Sequence, residues 1–179
     1  MTAEMILFII LNMLRMDNAT EARIESAMPH LTQLADAIHV HQDADVPAVR
    51  LIALAYEETR FSYRNPKTVS SDGACGVYQQ LPKYAPIKGT TCKHLFNVYT
   101  ATKNAKLYLK YIQKRFAKTK LSTVIDAKMC HYYSGNKCDK EAVAYAKRHE
   151  RSRKRAMKLL NKKNPILRVF REVGPPERL

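Results

Sequence analysis

Two adjacent acids, Glu57 and Glu58, close the apolar run LIALAYEE at residues 51–58. A polar loop holding Asn65 and Pro66 follows. A small-residue turn comes next (Gly73, Ala74, Cys75, Gly76), then the paired amides Gln79 and Gln80. A carboxyl against apolar surface, a backbone turn that lets a ligand approach and amide side chains in one stretch are the parts of a site rather than of a scaffold. Each glutamine offers donors and an acceptor suited to hydroxyl and acetamido groups. Tyr132 and Tyr133, at a later helix end, offer aromatic faces with hydroxyls; the same pair reads equally well as core and rim tyrosines.

The two acids separate on a helical wheel. With Pro47 in the first turn, residues 47–60 form a helix. At about 100° per residue, Arg50 and Glu57 share its polar edge, so Glu57 is expected to be solvated and paired with Arg50. Glu58 falls between Leu51 and Leu54, inside the apolar arc. Burial favours the neutral carboxyl and raises its pKa, which is the state a general acid needs near neutral pH. The wheel alone also admits a structural acid bonded to backbone amides.

The elements that must position these groups are helical. Ile24, Met28, Leu31, Leu34, Ala35 and Ile38 recur at helical spacing over 18–41, with a kink or two short helices expected at Pro29. A long helix over about 97–118 carries Val98, Ala101, Ala105, Tyr108, Leu109, Ile112 and Phe116 on one face, and Lys103, Lys106, Lys110 and Lys114 on a solvated one. Another runs over 121–132 with Val124, Ile125, Ala127 and Met129, stopped by Gly135. The last runs over 139–160 with Ala142, Tyr145, Ala146, Met157 and Leu160. His39, His41 and Asp43 read as a polar helix end, since no third ligand of matching spacing accompanies the histidines.

The 179 residues carry a net charge of +15, unevenly placed: −6 over 1–58, +12 over 59–139 and +9 over 140–179. A basic body calls for an anionic partner: nucleic acid, a membrane surface or a cell-wall polymer. Four cysteines occur without a CxxC pair, against a zinc ribbon or redox motif. Cys130 and Cys138 flank a short loop that a bridge can close; four free buried thiols are the equal alternative. The apolar start, residues 5–14, is too short to cross a bilayer. Docking on a partner subunit or membrane is favoured for it over a core helix or an uncleaved export signal.

Four blocks together resemble the catalytic domain of soluble lytic transglycosylases, the goose-type-lysozyme-like fold. AYEETRF (55–61) is similar to the family's apolar helix ending in Glu, Ser, any residue, Phe. SSDGACGVYQQLP (70–82) is similar to its Ser-x-x-Gly-Ala-x-Gly-Leu-Met-Gln-x-x-Pro block. NAKLYL (104–109) and HYYSGN (131–136) are similar, in order, to its Ala-Gly-x-x-Tyr-Leu and Ala-Tyr-Asn-Ala-Gly blocks. Thr59 stands for the usual Ser, Tyr78 for Met and Tyr133 for Asn. The match covers about residues 46–160. It leaves 1–45 as an N-terminal helical extension and 161–179 as a basic tail.

The resemblance implies a mainly α, lysozyme-like domain with little or no sheet. It implies cleavage of the β-1,4 bond between N-acetylmuramic acid and N-acetylglucosamine in peptidoglycan strands, with no metal or cofactor. Glu58 would protonate the leaving oxygen. As a base, it would then help the muramoyl 6-hydroxyl close on C1, with assistance from the substrate's acetamido group. Thr59, Ser71, Gly76, Tyr78, Gln79, Tyr132 and Tyr133 are the expected substrate contacts. Asp72 is the candidate second carboxylate, which by positioning a water would make the enzyme a hydrolytic muramidase. A small wall-cleaving domain of this shape suits a phage particle or secretion machine acting in the periplasm or envelope. Residues 1–14 and the tail would then meet other subunits. The rivals are a nucleic-acid-binding protein, disfavoured because it leaves Glu58 and the Gly turn unexplained, and a virion scaffold without activity.

Overall fold

The computed structural model describes residues 1–116, 127–134 and 138–163. Among the described residues there are seven helices: α1 (Ala3–Met16), α2 (Glu21–His41), α3 (Ala48–Thr59), the single turn α4 (Cys92–Leu95), α5 (Val98–Arg115), α6 (Ala127–Ser134) and α7 (Lys140–Lys163). Short 3₁₀ turns occupy Arg60–Ser62 and Pro82–Tyr84. Among the described residues, β pairing is confined to two isolated bridges, Val69 with Cys75 and Cys75 with Gln80. The protein is mainly helical, in keeping with the sequence reading.

Helix α1 starts where the Thr2 hydroxyl accepts from the Met5 amide (3.3 Å), an N-cap bond. Ile6, Ile9, Ile10, Met13 and Leu14 follow at helical spacing and are fully buried. They pack on α2, α3 and α7, so this stripe is part of the chain's own core. At roughly 1.5–3 kcal/mol per buried side chain, this stripe contributes on the order of 10 kcal/mol of gross burial. The buried residues of α1 and α2 share one core cluster with those of α3, α5, α6 and α7. No helix among the described residues is long and apolar enough to cross a membrane.

Pro29 does not divide α2, which sets aside the two short helices of the sequence reading. Proline deprives the carbonyl four residues earlier of its donor. Here that residue is Glu25, and both Glu25 and Pro29 are exposed, so the freed carbonyl lies on the water side. After α2, Asp43 ties the next loop to α5. Its carboxylate accepts from the Val46 amide (2.9 Å) and meets Lys106 and Lys110 (2.8 Å each). Those two lysines are thus partly engaged rather than simply solvated, and they hold the Asp43 carboxyl well below the usual range. His39 reaches the Met1 carbonyl (2.8 Å).

Helix α3 is the centre of the bundle, touching α1, α2, α5 and α7. Every residue from Leu51 to Tyr56 is buried, the mark of an interior helix. Its end is abrupt: Arg60, Phe61 and Ser62 all have left-handed backbone (φ 52°, 64° and 53°). Such a run costs energy for residues with a Cβ. Burial of Phe61 and the Ser62 amide bond to Thr59 Oγ1 (3.0 Å) hold it.

Helix α5 buries Val98, Ala101, Ala105, Leu109 and Ile112 as expected, together with Thr102 and Asn104. Helix α7 begins where the Asp139 carboxylate accepts from the Ala142 amide (2.8 Å). It packs on α3, α6 and α1. Val124, Ile125, Gly135, Asn136 and the apolar patch of the tail (Ile166, Leu167, Val169 and Phe170) lie outside the described residues.

Candidate active site

The end of α3 and one face of α7 enclose both acids. Glu58 is only partly exposed, and its carboxylate accepts a hydrogen bond from the Tyr145 hydroxyl. Burial raises the Glu58 pKa to about 7; the neighbouring Glu57 charge adds to the rise, while the Tyr145 bond and Arg148 oppose it. Tyr145 is itself buried, and its hydroxyl pKa is pushed well above the usual value by burial and by Glu58. A carboxyl whose pKa is raised toward neutrality, with a phenol on one oxygen, is equipped to give a proton and take it back.

Glu57 is not the solvated residue the wheel predicts. Its side chain is 7% exposed. It accepts from the Ser152 hydroxyl and stands 3.7 Å from Arg148 Nε. Helix α7 covers the polar edge of α3 and supplies the partners, replacing the anticipated pairing with Arg50. The spacing of Tyr145, Arg148 and Ser152 places them on one helical face. That face is visible in the sequence; its contact with α3 is not, and all three residues escaped the sequence reading as site residues.

Thr59 joins α3 to the glycine turn. Its hydroxyl donates to the Val77 carbonyl (2.9 Å) and accepts from Ser62 Oγ (3.0 Å) and the Ser62 amide. These bonds make Thr59 a buttress between the end of α3 and the glycine turn. The turn itself is built around Gly76, whose φ is +73°. A Cβ there would sit 2.1 Å from the Leu95 carbonyl oxygen, so the close approach is made by α4 rather than by a ligand. Gly73, at φ +81°, faces open space. Gln79 has φ 45° and donates from its amide to the Gly76 carbonyl (3.0 Å). Gln80 is buried, with its amide against Ala101 and Ala105 of α5.

The expected contact tyrosines divide. Tyr78 is fully buried, its hydroxyl against Thr102 Oγ1 (3.3 Å). Tyr132 is nearly so; its hydroxyl donates to the Tyr78 carbonyl (3.1 Å) and its ring meets Tyr108 edge-on. Both are core residues in this arrangement. Tyr132 is close enough to Glu58 for the carboxylate charge to raise its pKa further. Tyr133 is 51% exposed and stacks on Tyr145 at 5.1 Å between ring centroids, so Tyr133, Tyr145 and Glu58 form a path from surface to carboxyl. Ser71 and Asp72 are exposed at the tip of the turn closed by the Gly73 amide on the Ser70 carbonyl (3.0 Å).

All four cysteines are bridged, Cys75 to Cys92 and Cys130 to Cys138. The second is the bridge the short loop suggests. The first pins the glycine turn to α4 and had no sequence signal. Among the described residues, no group of histidine, cysteine and acidic side chains is arranged to hold a metal.

No family model matches the chain, and neither a curated protein nor a solved structure does. The case for its function therefore rests on the residues.

Proposed function

We propose that this protein is a lysozyme-like peptidoglycan-cleaving enzyme of the lytic transglycosylase class, with Glu58 as the single general acid and base. The observation that carries this reading is the Glu58 carboxyl. It ends a buried helix, its pKa is raised to about 7, and a phenol holds one of its oxygens. Protonated Glu58 would deliver its hydrogen to the glycosidic oxygen. The carboxylate left behind would take the hydrogen of the muramoyl 6-hydroxyl as that oxygen closes on C1. No second carboxylate is needed for this. Tyr133, exposed and stacked on Tyr145, is the residue best placed to meet a sugar ring. The target lies in the cell envelope, reached from a phage particle or a secretion machine. The basic body would hold the enzyme to anionic wall polymers.

The test is Glu58→Gln assayed on purified sacculi. The expected result is a loss of roughly 10²–10⁴-fold, the usual contribution of a general acid, with anhydro-muramic ends released by the unchanged protein. Reducing ends instead would assign hydrolysis and return Asp72 to the mechanism. Undiminished lysis by Glu58→Gln would defeat the enzyme reading.

A second reading has its own observation. Thr59, Tyr78 and Tyr132 direct their hydroxyls inward, and Tyr145 covers Glu58. A lysozyme-like scaffold that has kept the packing without the activity would look the same. Absence of lysis by the unchanged, oxidised protein would favour it.

A further inference from the structure

A concavity of about 290 Å³ opens on the Glu57 side of α3. It is lined by Tyr56, Glu57, Arg60, Arg148, Arg151, Ser152 and Arg155. Four guanidinium groups in one cleft repel one another unless something negative lies among them. Two acids partly answer them. Asp17 meets Arg60 (3.3 Å) and Arg155 (3.2 Å), and Glu57 stands 3.7 Å from Arg148. Four positive charges against two negative ones leave the cleft with two in excess. Arg151 is exposed and makes no ion pair with an acid of the described residues.

Two of the arginines are already held in place. Arg60 lies over the Tyr56 ring (4.1 Å to its centroid) and donates to the Tyr56 carbonyl (2.8 Å). Arg155 donates to the Tyr56 hydroxyl (2.8 Å) and to Asp17. The hydroxyls of Tyr56 and Ser152 point their hydrogens at Asp17 and Glu57, which leaves the guanidiniums as the cleft's donors to a ligand. Fixing donors in advance lowers the ordering cost of binding.

We propose that this cleft is a binding site for a phosphate group. Arginines reach it from two directions: Arg60 from the end of α3, and Arg148, Arg151 and Arg155 from the wall of α7. A planar carboxylate is satisfied by one arginine fork along one edge. A tetrahedral oxyanion presents oxygens to several forks at once, and a phosphate monoester carries a charge near −2 at neutral pH, equal to the cleft's excess. The site goes beyond the proposed wall-cleaving activity and does not depend on it.

The test uses the full-length, oxidised protein at constant ionic strength, titrated with inorganic phosphate, with glycerol 3-phosphate and with acetate. Binding is followed by calorimetry and by the arginine Nε–H signals. Saturable binding of one phosphate per chain is expected, with acetate at least tenfold weaker. Stronger binding of glycerol 3-phosphate than of inorganic phosphate assigns the site to a phosphate borne on a larger molecule; the reverse order assigns it to the free ion. Arg151→Gln alters an exposed side chain only and should weaken binding at least fivefold. Lys158→Gln with Lys162→Gln, on exposed positions of the same helix, should leave it unchanged. Non-saturable binding, equal weakening by the lysine control, or acetate binding as tightly as phosphate would overturn the assignment. Since nothing here is read from sacculi, failure of this site and failure of the enzyme reading are separate results.

Discussion

The Tyr145 hydroxyl donates to the Glu58 carboxylate across 87 residues of chain. That bond favours the ionised carboxylate, while burial and the charge of Glu57 favour the neutral form, and the opposing effects leave the pKa at about 7. Tyr145→Phe removes one of the two effects that hold the value down. The pH at which lytic activity falls off on the alkaline side should then move upward. A pH–rate profile of the two proteins on sacculi checks this, and an unmoved limb would show that the bond does not act on the titrating group.

The same shift bears on stability. The folded pKa of Glu58 lies above its ordinary value of 4.5, so between pH 4.5 and 7 the folded state binds more protons than the unfolded one. Stability from this group is present at low pH and lost as pH rises through about 7. At about 1.4 kcal/mol per pKa unit, the whole effect is on the order of 3 kcal/mol. Urea unfolding at pH 5.5 and 8 should show a larger difference between the two conditions for the unchanged protein than for Glu58→Gln.

Ser152→Ala should destabilise the fold by about 1–3 kcal/mol, because Glu57 loses a hydroxyl partner in a site where its side chain is 7% exposed. Arg148→Ala removes the more distant partner and is expected to cost less. Denaturant midpoints for the two variants test the order.

Gly73 and Gly76 allow a matched comparison. Both are left-handed, but only Gly76 faces a backbone atom where a Cβ would go. Gly73→Ala should cost about 1 kcal/mol from backbone strain alone. Gly76→Ala should cost more, since the Leu95 carbonyl must move as well. Equal melting temperatures for the two variants would mean that α4 yields easily.

Opening the Cys75–Cys92 bridge by a double serine substitution should lower stability by about 3 kcal/mol, from the loop-closure entropy of its 17-residue separation. The loss should be read as a change in denaturant midpoint under non-reducing conditions.

Helices and their apolar faces are legible in the sequence where one helix suffices to decide, and contacts are not where two helices have to meet. The apolar stripe of α1 is plain in its spacing, yet what it packs on follows from α2, α3 and α7. The burial of Glu58 is legible because Leu51 and Leu54 flank it on its own helix. Glu57 was misjudged because the helix that buries it lies about ninety residues further on. Tyr78 and Tyr132 are ligand contacts only by the family resemblance, and it is the packing of α5 and α6 beside the glycine turn that directs their hydroxyls inward. Cys75 with Cys92 could not be paired from sequence, since four cysteines allow three connectivities.

Helix α7 holds Tyr145 on Glu58 and Ser152 on Glu57, seven residues and about two turns apart. One rigid rod is thus fastened at two points to the same helix end. Lifting it far enough to free Glu58 also releases Glu57 and alters the spacing of the arginines beside it. Rotation of the Tyr145 side chain alone would uncover Glu58 and leave the rest in place. The two motions make the carboxyl's environment and the arginine cleft either one hinged unit or two independent ones.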